Sequence, residues 1–258
     1  MAKGKITAQQ LKHDPLMDKY IASSGWVKER SGVLLKGLIG VAALGAAVII
    51  FYVFSSQRAR SAGDELALAF CWDHAIVANP IPPNAPGCAA ATEDEKHHKA
   101  YEAFNQAARN YPSYNGEVGR YLAATHQLHF DGPKAEATLQ ELAQKNSSTG
   151  AQARLALAQR YETTNRFNEA LAEYQKLKSQ PGDIAPLLVD FNIARTYEAM
   201  GKTKEAIELY FTVASQSPGS SLGTGATTRL TALDPARLEQ LPQSDKKTGL
   251  NALMSSGK

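Results

Sequence analysis

The pattern of apolar and polar residues divides the chain into two very different parts. Residues 37–56 form the run GLIGVAALGAAVIIFYVFSS, which contains no charge over 20 positions. A helix of that length rises about 30 Å, the thickness of the hydrocarbon core of a bilayer. A buried core helix of a soluble protein rarely runs so far without a polar stripe. The pattern therefore predicts a single transmembrane helix over residues 33–56.

Basic residues are concentrated on the N-terminal side of this span. Residues 1–36 carry seven Lys and Arg side chains and a net charge of +4, whereas Arg58 and Arg60 beyond the span are soon followed by Asp64 and Glu65. Positively charged flanks remain in the cytoplasm. Residues 1–32 are therefore expected to form a basic cytoplasmic segment, and the C-terminal part to lie in the periplasm of a bacterium, outside the cytoplasmic (inner) membrane.

A cleaved signal peptide is the alternative interpretation of the apolar run. The charged region of a signal peptide is short, but here more than 30 residues precede the run. The run ends in bulky residues such as Ile50, Phe51 and Phe54, where a signal peptide has an Ala-x-Ala cleavage site. These features favour an uncleaved anchor that contacts the bilayer through one helix.

The charge beyond residue 36 argues against one class of partner. This part of the chain carries a net charge of −1, although the whole chain carries +3. Proteins that bind nucleic acid need a basic surface that neutralises phosphates. We therefore expect no nucleic-acid partner.

Cys71 and Cys88 are the two cysteines of the chain, and both follow the predicted span. The segment between them contains four prolines, so it cannot be helical throughout. In an oxidising compartment a disulfide would fix this loop and contribute about 3 kcal/mol. Two unpaired buried thiols are the alternative. A structural zinc site needs four ligands, so this pair does not predict one.

Beyond the loop, a pattern of one alanine and two larger or apolar residues recurs four times, with the alanines 35, 35 and 36 residues apart. The four occurrences are Ala100-x-x-x-Phe104-x-x-Ala107, Ala135-x-x-x-Leu139-x-x-Leu142, Ala170-x-x-x-Tyr174-x-x-Leu177 and Ala206-x-x-x-Tyr210-x-x-Val213. A second pattern begins 13 residues before three of these alanines. It comprises Leu122-Ala123-x-x-His126, Leu157-Ala158-x-x-Tyr161 and Ile193-Ala194-x-x-Tyr197.

These motifs resemble the tetratricopeptide repeat family, in which each repeat is a pair of antiparallel helices. The resemblance covers residues 93–218 and is strongest around Ala170 and Ala206. It implies an all-α fold, a solenoid of about four helix pairs that stack because no single pair can bury its apolar face. We expect this domain to span residues 57–234, with residues 71–88 as a long loop within it.

The two ends of the predicted domain depart from the repeat. Ala62–Val77, continuing from the membrane helix, is expected to supply the first helix of the first pair. Residues 225–233 predict a C-terminal capping helix that stops before Asp234-Pro235. The remaining residues, 235–258, are polar and are expected to form a flexible tail.

Binding in this family uses a concave groove lined by the first helix of each pair. Carried over by position, the resemblance implies six groove residues for a partner protein: Arg120, Gln152, Gln159, Phe191, Arg195 and Glu198.

Candidate chemistry is sparse elsewhere. His126 and His129, with Asp131 nearby, could in principle hold a metal ion, which gives an unfavoured alternative of a metal-dependent enzyme. His126, however, occupies the aromatic packing position of the repeat, so a structural role is favoured. The sequence has no phosphate loop, dinucleotide-binding motif or nucleophile elbow. We expect no enzymatic activity, cofactor, metal or small-molecule substrate.

A basic cytoplasmic segment, one anchor and an outer repeat domain also resemble a bacterial group in their arrangement. This group contains the single-pass ancillary subunits of the Sec translocon and the tetratricopeptide-like cell-division coordinators. The resemblance implies protein partners at the translocon or among periplasmic chaperones. A structural scaffold for an outer-membrane or cell-wall complex is the alternative.

Overall fold

The protein is mostly helical. The computed structural model describes residues 31–241, and within that range it has ten helices and one pair of two-residue strands. Nearly all of the predicted cytoplasmic segment 1–32 and residues 242–258 of the predicted tail lie outside the described residues. The chain divides into two compact units between Ser61 and Ala62.

Apart from the loop between the two strands, the elements follow one another with short connections, and most helices pack on the next helix along the chain. In chain order they are α1 (Ser31–Asp73), β1 (Ile76–Val77), β2 (Ala89–Ala90), α2 (Glu93–Asn110), α3 (Pro112–Gln127), α4 (Gly132–Ala143), α5 (Ser148–Thr163), α6 (Phe167–Ser179), α7 (Pro186–Ala199), α8 (Thr203–Gln216), α9 (Ser221–Leu233) and α10 (Pro235–Leu238).

The first unit contains the apolar part of α1. The helix is long and apolar enough to cross a membrane, and none of its most apolar 18-residue window is buried. Large side chains remain open to the surroundings, including Ile49 at 64%, Phe51 at 72% and Phe54 at 60% exposure. Exposure of so much apolar surface in water is unfavourable, and a stretch of this kind can be either a membrane span or a signal sequence.

Polar side chains mark the N-terminal ends of five helices in the second unit. In each case the side chain accepts a hydrogen bond from a backbone N–H in the first turn of the helix that follows, and the five residues are Thr92, Asp131, Ser147, Ser220 and Asp234. Such caps satisfy donors that have no partner within the helix.

Two equivalent turns join α5 to α6 and α7 to α8. Asn165 adopts a φ of 59° and Gly201 a φ of 73°. This left-handed conformation favours glycine and asparagine, and it reverses the chain at the end of a helix. Both residues lie between the two motifs of a repeat, after Tyr161 and Tyr197 respectively.

The recurring triplets form the buried faces of alternate helices. Within α6, Ala170, Tyr174 and Leu177 are fully buried. The equivalent residues of three other helices are fully buried as well: those of α2 (Ala100, Phe104 and Ala107), of α4 (Ala135, Leu139 and Leu142) and of α8 (Ala206, Tyr210 and Val213). Equal burial at matching positions indicates that one packing scheme serves four helices.

The start of the second unit is built differently. Residues 62–73 of α1 pack on α2, where Ala69 and Phe104 are fully buried. The buried Asn115 side chain of α3 donates a hydrogen bond of 2.7 Å to the Ala62 carbonyl. The helix predicted over Ala62–Val77 ends early, at Asp73.

A disulfide and a small parallel sheet hold the loop that follows α1. Cys71 is bonded to Cys88, with 5.5 Å between their Cα atoms. β1 pairs with β2, so Ile76 lies beside Ala89. Val77 is therefore strand rather than helix, because its neighbours Ile76 and Ala78 donate backbone hydrogen bonds across the loop to Cys88 and Ala90.

The C-terminal end of the described chain also differs from the prediction. The capping helix α9 begins at Ser221, four residues before the predicted start. The helix α10 forms inside the predicted tail 235–258, and Leu241 is 3% exposed in a cluster with Tyr210 and Leu230. Leu238 and Leu241, two leucines in a polar stretch, thus extend the core beyond Asp234.

Candidate protein-binding surface

Arg120, the first predicted groove residue, is tied to the neighbouring helix. Its Nη1 and Nη2 atoms donate to the two carboxylate oxygens of Glu141 at 2.8 and 2.5 Å, which joins α3 to α4. The Glu141 hydrogen bond is the main cause that raises the pKa of the guanidinium, against a smaller opposing effect of burial. A partner would therefore have to compete with Glu141 for this cation.

Arg195 and Glu198 form two further bridges between helices. Arg195 Nη2 donates to Glu162 Oε2 at 2.5 Å, which joins α7 to α5. Glu198 accepts from the Tyr210 hydroxyl at 2.8 Å and from Arg229 at 3.4 Å, which joins α7 to α8 and α9. These charges largely cancel one another, so the surface they form has little net charge.

Phe191 contributes mainly to packing. Its ring is half-buried and meets the Tyr210 ring edge-on, with 5.6 Å between the centroids. An added Cβ at Gly225 would lie 3.4 Å from the same ring. Gly225 therefore lets α9 approach the Phe191 ring closely.

The two glutamines of the set are the freest to receive a partner. Gln159 is exposed and Gln152 is half-buried, and both belong to α5. Five of the six predicted residues thus lie on two helices, α5 and α7. The sixth, Arg120, lies closer to the N-terminus, on α3.

Glu162, which is not among the predicted residues, links α5 to α7 through two side chains. Its carboxylate accepts from Arg195 and, at 2.5 Å, from the hydroxyl of the buried Thr196. Burial raises the pKa of Tyr174, and the charge of Glu162 adds to that effect. Sequence reasoning missed Glu162 because a glutamate in the last turn of a helix is ordinarily a solvated residue.

Burial also raises the pKa of Tyr210, and the hydrogen bond to Glu198 adds to the effect. The two equivalent tyrosines are thus both neutral over the physiological range. They act here as buried hydroxyl groups rather than as acids or bases.

Two cavities of about 480 Å³ lie at equivalent positions one repeat apart. One lies among α6, α7 and α8, where Gln175 and Tyr197 line it. The other lies among α4, α5 and α6, where Gln140 and Tyr161 line it. Neither cavity is lined by a predicted groove residue, so the chain offers a second surface beside the predicted one.

The residues of the alternative metal site do not converge. Asp131 caps α4 and pairs with Lys134 at 2.7 Å, whereas the Nε2 atom of His126 lies 3.2 Å from Asp73. His129 stacks on His97, with 3.5 Å between the ring centroids. Among residues 31–241, no group of three or more His, Cys, Asp or Glu side chains could hold a metal ion.

No protein-family model matches the chain, and no curated protein or solved structure matches it either.

Proposed function

We propose that the chain is a membrane-anchored protein-binding protein whose tetratricopeptide-type domain lies on the periplasmic side of the bacterial cytoplasmic membrane. The observation that carries this proposal is the repeated burial of the triplets in α4, α6 and α8 at a spacing of 35 and 36 residues. Helices that bury such triplets against their neighbours stack into a solenoid. The domain then comprises about four helix pairs, with α9 as the capping helix.

The side chains exposed on the surface of the stack support protein binding. The exposed side of α5 and α7 presents amides and internally paired charges, which suit hydrogen bonding to a polypeptide. The described residues hold no cluster for a metal. A protein partner that makes many moderate polar contacts fits this surface better than a small-molecule substrate does.

The anchor and its orientation come from α1 and its flanks. The apolar window of α1 is long enough to cross a bilayer, and the basic surplus precedes it. The disulfide between Cys71 and Cys88 supports an oxidising compartment for the second unit. Partners in this location are the protein-conducting channel of the membrane or periplasmic chaperones that receive exported chains.

The oxidation state of the two cysteines in living cells tests the proposed location. Thiols are blocked in intact cells with an alkylating reagent, the protein is reduced, and newly freed thiols are counted by mass. We expect both cysteines to be oxidised and the full-length mass to persist. Two free thiols would place the domain in the cytoplasm, and a mass that lacks the apolar run would make it a cleaved signal sequence.

Co-purification tests the proposed partners. The full chain carries an affinity tag and is purified from membranes solubilised in a mild detergent, beside membranes without the tagged chain. We expect enrichment of translocon subunits or periplasmic chaperones. If neither class is enriched over the control, the proposed partnership is wrong.

A further inference from the structure

Three histidines meet where α2 and α3 contact the end of α1. The Nδ1 atoms of His97 and His126 face each other at 3.0 Å. The His129 ring, in the turn after α3, stacks on His97 at a tilt of 11°. The group joins two helices and a turn through imidazole rings alone.

His126 is the buried centre of this cluster. Its side chain is 8% exposed, and its Nε2 atom lies 3.2 Å from an Asp73 carboxylate oxygen. The Phe104 ring stacks against its other side. Asp73 is the last residue of α1, so the histidine directly links α3 to the end of α1.

The Nδ1 contact limits how many protons the pair can hold. A hydrogen bond between two nitrogens needs one N–H and one lone pair. In the neutral pair, His126 donates from Nε2 to Asp73 and accepts at Nδ1 from His97. One added proton is tolerated, because His97 can then accept from His126. A second added proton puts an N–H on both facing atoms and leaves neither with an acceptor.

We propose that His97 and His126 form a proton-operated switch, which holds α2 and α3 against the end of α1 when neutral and loosens this packing when both rings are protonated. The response belongs to the fold itself and does not depend on the proposed function. In a periplasm open to the medium, the switch would respond to external acidity.

The surrounding charges oppose protonation only in part. Asp73 on α1 and Glu93 on α2 favour the charged rings, whereas Lys96 on α2 and His129 disfavour them. Burial is the largest cause for both histidines, and it lowers the pKa of each below the ordinary value of 6.5. The unfolded chain therefore binds protons more readily than the folded chain. The packing is stable above pH 6.5 and weakens as the pH falls below it.

Hydrogen exchange of the full chain in mild detergent tests the switch. Protection of the α2 amides, corrected for the intrinsic pH dependence of exchange, is measured at about pH 7.5 and about pH 5.5. Two protons taken up on opening predict a loss of up to about a hundredfold. The amides of α8, which lie far along the chain from the histidines, should lose less than about threefold.

Substitutions at adjacent positions separate the switch from a general acid effect. His97→Asn keeps a polar atom near Nδ1 but does not titrate, so the loss should shrink to about tenfold. His98→Asn is the matched control. The His98 ring stacks on Phe130 outside the cluster, and this variant should retain the wild-type loss.

Two results would overturn the proposal. One is a wild-type loss in α2 no larger than that in α8. The other is a His97→Asn variant with the same loss as wild type. If His97→Asn fails to fold, NMR titration of the imidazole nitrogens in the wild-type chain replaces it. The switch predicts that His97 and His126 titrate below pH 6.5, and titration of both at or above that value would contradict it.

Discussion

The first helix pair, formed by residues 62–73 of α1 together with α2, differs in construction from the later pairs α5–α6 and α7–α8. The later pairs bury the same classes of residue at the same positions, such as Tyr174 and Tyr210. The first pair buries the equivalent triplet of α2 too, and it also carries a disulfide, a buried amide and a histidine cluster. The repeated packing thus recurs in each pair, whereas the first pair, which begins in α1 and contains a long loop, adds particular cross-links that fix its position.

The largest loss of stability is expected from a substitution at the centre of a later pair. Tyr174→Ala removes a fully buried ring and leaves a cavity, so the free energy of unfolding should fall by about 3–5 kcal/mol. Denaturant unfolding of the full chain in mild detergent measures it. Ala172→Ser, an exposed change on the same helix, should cost less than about 0.5 kcal/mol. Similar losses in the two variants would contradict the packing scheme.

The second effect concerns the first pair. Replacing Cys71 and Cys88 by serine frees a loop that the disulfide closes, with a sequence separation of 17 between the two cysteines, and should cost about 3 kcal/mol. Hydrogen exchange should show the loss in α2 and in the loop, with α6 and α8 unchanged. Equal loss of protection in α8 would mean that the two regions are not built separately.

The third prediction is that the stability of the later pairs and that of the first pair depend on pH in opposite directions. The pKa values of Tyr174 and Tyr210 are raised, so the unfolded chain loses their protons first as the pH rises above 10. Stability of the later pairs should therefore fall above pH 10 by about 1.4 kcal/mol per pH unit for each tyrosine. The first pair is expected instead to lose stability as the pH falls below 6.5.

Tyr174→Phe measures this alkaline effect, because it removes a titrating hydroxyl and keeps the ring. The variant should unfold at a higher pH than wild type, as followed by tyrosinate absorbance. An unchanged alkaline midpoint would show that this hydroxyl does not control stability there.

The smallest effect belongs to a surface bridge. Arg120→Gln removes the ion pair with Glu141, in which the two side chains are 37% and 59% exposed. Exposed pairs of this kind contribute about 0.2–1 kcal/mol. Thermal unfolding should detect at most this change. A loss above about 2 kcal/mol would show that the bridge is part of the core.

Periodicity made the regular part of the fold predictable. The helices α4 to α8, their turns and their buried triplets follow from alanines spaced 35 and 36 residues apart. The apolar stretch of α1 was equally clear, because its length and lack of charge are properties of the sequence itself.

The irregular parts were harder to predict because their contacts join distant residues. Nothing local indicates that His97 faces His126 or that Asn115 reaches Ala62. The end of α1 was misplaced for the same reason, since Ile76 and Val77 are drawn into a strand by residues 89–90. At the candidate surface, the position of Arg195 within the repeat predicted it as a groove residue. Its partner Glu162 follows only from the packing of α7 against α5, which the sequence does not specify locally.

The most direct test of the proposed protein-binding role is photocrosslinking in living cells from two exposed glutamines. Gln159 on α5 belongs to the predicted groove, whereas Gln175 on α6 lines a cavity outside it. A photoreactive amino acid is placed at each position in turn. We expect a probe at Gln159 to crosslink to a translocon subunit or a periplasmic chaperone and a probe at Gln175 not to. Crosslinks to such partners from Gln175 alone, or from neither position, would contradict it.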